Sequence, residues 1–339
     1  MNGFDTQIVN IENPETAQAA FAQAGEWLRR GELVAFPTET VYGLGADAWQ
    51  PAAVAKIFAA KGRPADNPLI SHVADMETAE RLVKFTPLGR KLAERFWPGP
   101  LTLVLPRRPQ VPDVVTAGLP TAAVRFPLHA GAAAMLRAAK VPVAAPSANS
   151  SGKPSPTLAR HVYDDLQGKL PLILDGGPVD IGLESTVVNA CGDVPVLLRP
   201  GRITAEALRA LCGDVALPRP EDKERPAAPG MKYRHYAPEG QVLLMEDGAS
   251  LDKTRRELLA QGLPEPLCIV FEDTAAAYPR QDNFIIARRG DLQAFARNMF
   301  AALRLADAEK RQYILVETVP EQGLGAAIMN RLKKSAAKK

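Results

Sequence analysis

Two neighbouring segments dominate this sequence: Pro37-Thr38-Glu39-Thr40-Val41-Tyr42-Gly43-Leu44-Gly45 and Lys61-Gly62-Arg63-Pro64-Ala65-Asp66-Asn67-Pro68-Leu69. They combine small hydrogen-bonding side chains, glycines and two cations, and they lie between clear helix and strand patterns. This mixture is typical of a concave surface that holds a small anionic molecule. It does not fit a hydrophobic core, and it is too ordered for a linker.

The composition limits the class of protein. The chain has 339 residues, 46% of them hydrophobic and 23% charged, which is usual for a globular protein and predicts two domains. A net charge of +3 does not indicate a general nucleic-acid surface, so anion binding must come from local Arg and Lys. Three cysteines without a Cys-x-x-Cys pair argue against disulfides and structural zinc, and favour the cytoplasm. We find no signal peptide and no apolar segment of about 18 residues, so we expect no membrane span.

The periodicity of the first 217 residues predicts one α/β domain. Its first helix has Asn13 as cap, Pro14 in the first position and Gly31 at the end. Helices and short apolar strands then alternate as far as a helix over residues 204–211. Several strands follow one another directly, which indicates an open twisted mixed sheet with helices and not a purely parallel one.

A second α/β pattern begins after residue 240. Residues 241–339 predict a small Rossmann-like domain of the usual size, with a basic tail from Arg331 that we interpret as a solvated helix end. Between the domains, residues 218–240 form a linker in which Pro and charged residues show no apolar period. Met231–Pro238 carries two tyrosines, a histidine and two cations. We therefore hypothesise that this segment is a lid over the active site.

Familiar catalytic motifs are missing from the sequence. It has no phosphate-binding Gly-x-x-x-x-Gly-Lys-Ser/Thr loop, no complete dinucleotide fingerprint and no Gly-x-Ser-x-Gly elbow. With four histidines and no His-Glu-x-x-His, a histidine-rich metal site is not indicated.

Lys61 and Arg63 follow the second predicted helix. They either complement the helix dipole in water or bind a phosphate, and the rigid Pro64 turn beside a strand favours phosphate. Residues 144–152 are a second candidate for phosphate binding, because their small side chains let a ligand approach the backbone. Ser155 next to Pro156 also predicts a helix cap, and a helix start is itself an anion site.

Other candidates are polar residues at strand positions. Arg125 lies in an apolar strand and needs a carboxylate or phosphate partner, which a protein salt bridge also provides. Arg199 ends another strand. His72 is either a site residue or a satisfied core histidine, and Glu184-Ser185-Thr186 is either a site loop or an ordinary turn.

Taken together, these motifs resemble one family, the YrdC-like threonylcarbamoyl-AMP synthases, in their long two-domain form. The resemblance covers essentially the whole chain. It rests on the two opening segments and on Trp97-Pro98-Gly99-Pro100-Leu101-Thr102, Ala-Pro-Ser-Ala-Asn at 145–149, Glu-Ser-Thr-Val-Val at 184–188, Leu-Leu-Arg-Pro-Gly at 197–201 and the linker motif at 229–238.

The resemblance implies an enzyme that condenses L-threonine, bicarbonate or CO2, and ATP into threonylcarbamoyl-AMP and pyrophosphate. A partner complex then transfers the threonylcarbamoyl group to tRNA next to the anticodon, so that contact of this chain with tRNA is possible but indirect. The implied threonine-binding residues are Thr40, His72, Arg125, Ala145 through its main chain, and Ser185. The implied ATP-binding residues are Lys61, Arg63, Asn67, Thr121, Ser147, Ser155, Arg199 and Tyr236. Mg²⁺ is expected to accompany ATP, held mostly by phosphates and water.

This chemistry needs no protein nucleophile. The threonine amine attacks CO2 and the resulting carbamate attacks the α-phosphorus, so the protein must align reactants, offset charge and exclude water. Lys61 and Arg63 are the expected charge stabilisers. Two rival interpretations are a non-catalytic RNA-binding protein using the same basic cleft, and a hydrogenase-maturation carbamoyl transferase, whose zinc-type Cys pairs this chain lacks. A docking role for the second domain stays open.

Overall fold

The computed structural model describes residues 3–218, 235–279 and 282–337. They divide into two compact units. The first holds most of residues 3–218, and the second holds the described residues from 235 onward together with Gly152–Pro154 and Ile181–Leu183. Most of the predicted linker and lid lies outside the described residues, at 219–234. The boundaries at 217 and 240 stay predictions.

Strands and helices alternate through the first unit. In chain order its described elements are β1 (Gln7–Asn10), α1 (Pro14–Arg29), β2 (Val34–Phe36), β3 (Gly43–Asp47), α2 (Pro51–Lys61), β4 (Ile70–His72), α3 (Met76–Leu82), α4 (Pro87–Phe96), β5 (Leu101–Pro106), α5 (Asp113–Thr116), β6 (Thr121–Arg125), α6 (Ala130–Ala139), β7 (Val143–Ala144), α7 (Ala159–Leu166), β8 (Leu172–Asp175), β9 (Thr186–Asn189), β10 (Val196–Arg199) and α8 (Ala205–Cys212).

The described strands of this unit form one ten-stranded sheet in the order β1-β8-β2-β3-β7-β4-β6-β5-β9-β10. The pairs β1/β8, β2/β8, β4/β6 and β5/β9 are parallel, while β2/β3, β3/β7, β4/β7, β5/β6 and β9/β10 are antiparallel. The predicted α/β class with a mixed sheet is therefore confirmed. Apolar side chains fill both faces of the sheet, and α1 approaches α6 so closely that a Cβ on Gly25 would lie 2.6 Å from Ala138 O.

Local signals determine several helix ends. The Asn13 side chain accepts the Glu15 N–H at 3.0 Å, Pro14 begins α1, and Gly31 has φ +76°, as the sequence predicted. Ser155 does not cap a helix, so that prediction is wrong. Helix α7 begins at Ala159, and the Ser155 hydroxyl instead contacts a distant carboxylate.

The opening segment 37–45 is buried, contrary to the prediction that it does not fit a core. Thr38, Glu39 and Thr40 are almost inaccessible, and Gly43 begins the central strand β3. A Cβ on Gly45 would lie 2.6 Å from Val143 Cγ1, so the glycine is required by close packing in the sheet. The segment therefore lines the interior of the first unit, and its polar groups must find partners there.

The second unit is built on a four-stranded parallel sheet in the order β11-β14-β12-β13. Its described elements are β11 (Gln241–Met245), α9 (Gly248–Ala260), β12 (Leu267–Phe271), α10 (Glu272–Ala277), β13 (Asn283–Ala287), α11 (Leu292–Ala308), β14 (Tyr313–Glu317) and α12 (Leu324–Ala336). This agrees with the predicted small Rossmann-like domain. The predicted solvated tail is wrong at Arg331, which is fully buried within α12. None of the described helices is both long and apolar enough to cross a membrane.

In the second sheet, one buried carboxylate connects segments that lie near the carboxyl ends of the strands. Glu317 ends β14 and accepts hydrogen bonds from Phe271 N–H at 2.9 Å, Thr274 Oγ1 at 3.0 Å and Arg289 Nη2 at 3.0 Å. These bonds join β14 to the end of β12, to α10 and to the segment after β13. A buried carboxylate with three donors is stabilising in place and costly to delete.

We predict that Glu317→Ala lowers the free energy of unfolding by about 3 kcal/mol, because it removes the acceptor of the buried Phe271 N–H and Thr274 hydroxyl. The matched control is Glu321→Ala, which removes an exposed carboxylate that pairs with Lys333 in the same unit. That control should change stability by less than about 1 kcal/mol. Urea unfolding of the full chain measures both, and equal effects would contradict the assigned role of Glu317.

Candidate active site

A row of polar side chains lies at one edge of the first sheet. Strands β4 and β6 run parallel, so their last residues, His72 and Arg125, are register partners at the same edge. Strand β5 runs antiparallel to β6 and places Thr102 opposite Arg125. Residues paired across neighbouring strands face the same side of a sheet. The sequence thus brings an imidazole, a guanidinium and a hydroxyl side by side.

Arg125 is the cation of this row and is almost fully buried. Its Nη1 donates to Thr40 Oγ1 at 2.8 Å and its Nε donates to Gly99 O at 3.3 Å. Its Nη2 lies 2.7 Å from Glu39 Oε1, an ion pair between two buried groups. Nη2 has no aligned hydrogen-bond acceptor among the described residues, so it keeps donor capacity for an anion. The protein salt bridge and the ligand interpretation of Arg125 are therefore compatible.

The hydroxyl of Thr40 has a defined orientation. Thr38 Oγ1 donates its proton to Val41 O at 2.7 Å, so Thr40 must be the donor in the 2.8 Å contact between the two threonine hydroxyls. Thr40 Oγ1 then accepts from Arg125. The short turn that begins at Thr38 therefore presents Thr40 to the guanidinium in one fixed arrangement.

His72 is a neutral base at this edge. Burial, and secondarily the positive charge of Arg125, lower the pKa of His72 to about 3. Its ring packs edge-on against Phe36, with centroids 5.8 Å apart. Its Nδ1 is buried and has no hydrogen-bond partner among the described residues. An unpartnered polar atom in such a place is more typical of a ligand site than of a satisfied core histidine.

Ser185 joins the row through Thr102. The two hydroxyls are 2.7 Å apart, and either one can be the donor. Arg199, the last residue of β10, donates from Nε and Nη2 to Ser185 O at 3.1 and 3.0 Å, and from Nη2 to Ser185 Oγ at 3.2 Å. Arg199 was predicted to hold ATP and Ser185 to hold threonine. In the structure, the guanidinium of Arg199 holds Ser185 in place through these hydrogen bonds.

Lys61 is not a solvated helix end. It is the last residue of α2, it is buried, and Gly62 with φ +62° ends the helix behind it. Its Nζ donates to Ser147 O at 2.6 Å and also contacts Asn149 O. The cation therefore lies against the 147–149 backbone, where anion binding was predicted.

The other predicted phosphate residues lie in nearby turns. Arg63 is half-buried, and its Nη2 donates to the carbonyls of Asn67 at 3.2 Å and Pro68 at 3.1 Å. Ser147 Oγ donates to Asn149 Oδ1 at 2.5 Å. Ser155 Oγ donates to Glu184 Oε1, also at 2.5 Å. These pairs brace the turns that hold the candidate ligand groups.

Three predicted residues need separate mention. The Ala145 N–H already donates to Ile70 O at 2.9 Å, so its carbonyl is the main-chain group left for a ligand role. Thr121 begins β6 and lies roughly 13 Å from Arg125 along the strand, at about 3.3 Å per residue, so the structure does not bring it to the polar row. Tyr236 belongs to the second unit, with φ +66° and its ring stacked 5.3 Å from Phe300. Its ATP role stays a prediction.

Sequence reasoning assigned no role to three buried polar residues of this site. Glu39 pairs with Arg125, accepts the Leu128 N–H at 3.1 Å, and has an Oε2 atom without a partner among the described residues. Thr102 and Glu184 bond directly to predicted ligand residues. For Glu39 and Glu184, a charged residue between apolar or small neighbours was the available signal, because such a charge is buried only when it is paired.

The assembled groups suit binding and alignment more than covalent catalysis. They include a guanidinium with a spare N–H, a neutral imidazole and several hydroxyls, all withdrawn from water. Such a site can hold a small molecule that carries both a carboxylate and hydrogen-bonding groups. The cations Lys61 and Arg63 add positive charge for a second, anionic reactant.

Comparisons with known proteins identify the family of the chain. The family described as telomere recombination (Sua5, YciO and YrdC) matches residues 26–201, and the family described as threonylcarbamoyl-AMP synthase, C-terminal domain, matches residues 203–337. A Bacillus subtilis protein named threonylcarbamoyl-AMP synthase is 46% identical over 98% of this chain and 95% of its own length. A protein of that name from Pyrococcus abyssi is 47% identical over 98% of each chain.

A solved structure gives the same result for the fold. The crystal structure of P. abyssi Sua5 complexed with L-threonine superposes with a TM-score of 0.89 at 44% identity, covering 97% of each chain. Both the family matches and the identities extend across both units. The chain belongs to the Sua5, YciO and YrdC family, in the two-domain form whose relatives are threonylcarbamoyl-AMP synthases.

Proposed function

We propose that this protein synthesises L-threonylcarbamoyl-AMP from L-threonine, bicarbonate or CO2, and ATP, releasing pyrophosphate. The observation that carries the proposal is the buried Arg125, placed between Thr40 and His72, whose Nη2 pairs with Glu39 but makes no aligned hydrogen bond among the described residues. It fits the carboxylate of an amino acid. The names of relatives that match 95–98% of their own length favour this enzyme over an RNA-binding protein.

In this proposal the sheet-edge row holds threonine. Arg125 binds the carboxylate, and Thr40, His72, Ser185 and the Ala145 carbonyl contact the remaining polar groups. Support comes from the bound L-threonine in the P. abyssi structure and from the spare hydrogen-bonding atoms of the row. A neutral His72 suits the role, since it accepts a hydrogen bond without adding a second positive charge beside Arg125.

The reaction then requires alignment of two reactants. The free amine of threonine forms a C–N bond to the carbon of CO2 and releases a proton, which gives a carbamate. A carbamate oxygen attacks the α-phosphorus of ATP, the bond to the bridging oxygen breaks, and pyrophosphate leaves. Lys61 and Arg63 offset charge on the phosphates, and the buried setting excludes water from the labile carbamate.

We propose ATP binding for one set of residues: Lys61, Arg63, Asn67, Thr121, Ser147, Ser155, Arg199 and Tyr236. We expect Mg²⁺ to arrive with ATP on phosphate oxygens and water. Among residues 3–218, 235–279 and 282–337, no group of three His, Cys, Asp or Glu side chains able to hold a metal ion is found. We also propose that residues around Met231–Pro238 close over the bound substrates.

The product is an activated acyl donor, so we propose that a separate transferase complex passes its threonylcarbamoyl group to tRNA. Contact of this chain with tRNA is then indirect, in keeping with the net charge of +3. We propose a cytoplasmic location, which suits three cysteines, at 191, 212 and 268, that form no disulfide.

The purified full chain should release pyrophosphate from ATP only when both L-threonine and bicarbonate are present. The readout is pyrophosphate release together with transfer of ¹⁴C from bicarbonate into an adenylate that chromatography resolves. Omitting threonine is the control. Pyrophosphate release that does not depend on threonine, or an adenylate without ¹⁴C, would refute the proposed function.

We predict that Arg125→Lys raises the KM for threonine by about 10- to 100-fold, because lysine cannot present two parallel donors to a carboxylate. Lysine keeps a cation opposite Glu39, so the fold should survive. The KM for ATP should change much less. Arg107→Lys is the matched control, since Arg107 lies in the same unit and pairs with the exposed Asp113. A similar rise in both KM values would exclude the assigned contact.

The lowered pKa of His72 predicts a pH effect on stability. The folded pKa of about 3 lies below the ordinary value of 6.5, so the unfolded chain binds more protons between these values and stability falls as pH falls. Each pH unit in this window corresponds to about 1.4 kcal/mol. Relative to His72→Asn, the wild type should therefore lose about 3 kcal/mol between pH 7 and pH 4.5. Urea unfolding at several pH values tests this, and parallel curves for the two proteins would contradict it.

A further inference from the structure

One buried carboxylate connects two predicted substrate segments of the first unit. Ser155, a predicted ATP residue, donates its hydroxyl proton to Glu184 Oε1 at 2.5 Å. Glu184 directly precedes Ser185, a predicted threonine residue. Both partners of this hydrogen bond are more than nine-tenths buried. The bond joins positions 29 residues apart, so it is not a local turn contact.

Two further residues, Thr102 and Arg199, hold Ser185 in position. Thr102 Oγ1 contacts Ser185 Oγ, and Arg199 makes three hydrogen bonds to Ser185. The neighbouring backbone is equally confined, because a Cβ on Gly201 would lie 2.5 Å from Thr186 N and 2.9 Å from Glu184 O. The Glu184–Thr186 segment therefore has little freedom to move without breaking buried hydrogen bonds.

A tightly held segment transmits a change at one end to the other. Moving Ser155 displaces the Glu184 carboxylate or leaves it buried without this donor, which costs free energy. Moving Glu184 displaces Ser185 through one peptide bond, whose planar geometry is stiff. The positions of Ser155 and Ser185 are therefore linked through the Ser155–Glu184 hydrogen bond and the peptide bond between Glu184 and Ser185.

We propose that Glu184 is a positioning residue that couples the two substrates. A nucleotide that contacts Ser155 favours the arrangement in which Ser185 is placed for threonine, and threonine favours the arrangement of Ser155 in the same way. Equilibrium coupling of this kind is reciprocal. The proposal rests on the proposed function, since it assumes that these two serines serve different substrates.

The test is calorimetric titration of L-threonine into the full chain, with and without saturating α,β-methylene-ATP. The quantity measured is the coupling factor, the ratio of the two dissociation constants. We expect the wild type to bind threonine about fivefold or more tightly in the presence of the nucleotide, within the usual range for coupled sites. A general loss of stability lowers the active fraction but does not change this ratio.

Three variants test the hydrogen bond between Ser155 and Glu184 by changing one or the other partner. Glu184→Ala and Ser155→Ala each remove it and should bring the coupling factor close to one. Glu184→Gln keeps an oxygen that accepts the Ser155 proton, so it should retain most of the coupling. Ser155→Ala removes only a hydroxyl group and keeps the test valid if Glu184→Ala fails to fold.

Thr186→Val is the matched control. Thr186 is buried and adjacent to Ser185, but its hydroxyl donates to Ile203 O at 2.8 Å and accepts the Ile203 N–H at 3.0 Å, away from Ser155. It should lose a comparable buried hydrogen bond and keep the wild-type coupling factor.

Two results would overturn the proposal while leaving the proposed function intact. The first is a wild type that binds both ligands with no coupling, and the second is undiminished coupling in both Glu184→Ala and Ser155→Ala. Failure of the wild type to bind threonine in either condition would instead remove the proposed function and this inference together. Loss of coupling in Thr186→Val as well would show that general loosening of the segment, and not Glu184, is responsible.

Discussion

The rest of the site depends on one constraint, a guanidinium that is buried at the carboxyl end of a central strand. Arg125 ends a central strand and cannot remain charged in the interior unless an anion and several acceptors surround it. Glu39 supplies the anion, which requires the 37–42 segment to fold inward and carries Thr40 with it. The same carboxylate accepts the Leu128 N–H and so fixes the chain just beyond β6. One ion pair thereby orders two loops, while Nη2 and Glu39 Oε2 keep capacity for further hydrogen bonds.

The electrostatics of the site follow from this pair. Beside a buried cation and away from water, the His72 imidazole is held in its neutral form, so the only charges of this row are those of the Arg125–Glu39 ion pair. A zwitterionic ligand can replace part of the internal pairing without adding net charge. The second set of cations, Lys61 and Arg63, donates hydrogen bonds to backbone carbonyls.

The sequence predicted those features that depend on local chemistry. Asn13 and Pro14 specify the start of α1, and an apolar strand that ends in Arg125 could be recognised from its neighbours. The errors concern residues whose state is set by distant partners. The Gly43–Asp47 strand has few β-forming side chains and exists because Phe36 and Val143 occupy the space above its glycines. Ser155 has the sequence of a helix cap, but Glu184 provides its acceptor. Arg331 has the sequence of a solvated tail, but the ring of Tyr236 lies 5.9 Å from its guanidinium.

The candidate ligand residues share one property that makes them difficult to probe by mutation. Thr40 with Arg125, Lys61 with Ser147, and Thr102 with Ser185 are each more than 80 residues apart in the chain. In the proposed function, each pair contains a residue that contacts a substrate and that also ties one chain segment to another. Truncating it to alanine removes a ligand contact and loosens a loop at the same time, and the two effects cannot be separated by a single loss of activity. Substitutions that keep the internal bond but change the ligand contact, or the reverse, are needed to distinguish recognition from architecture.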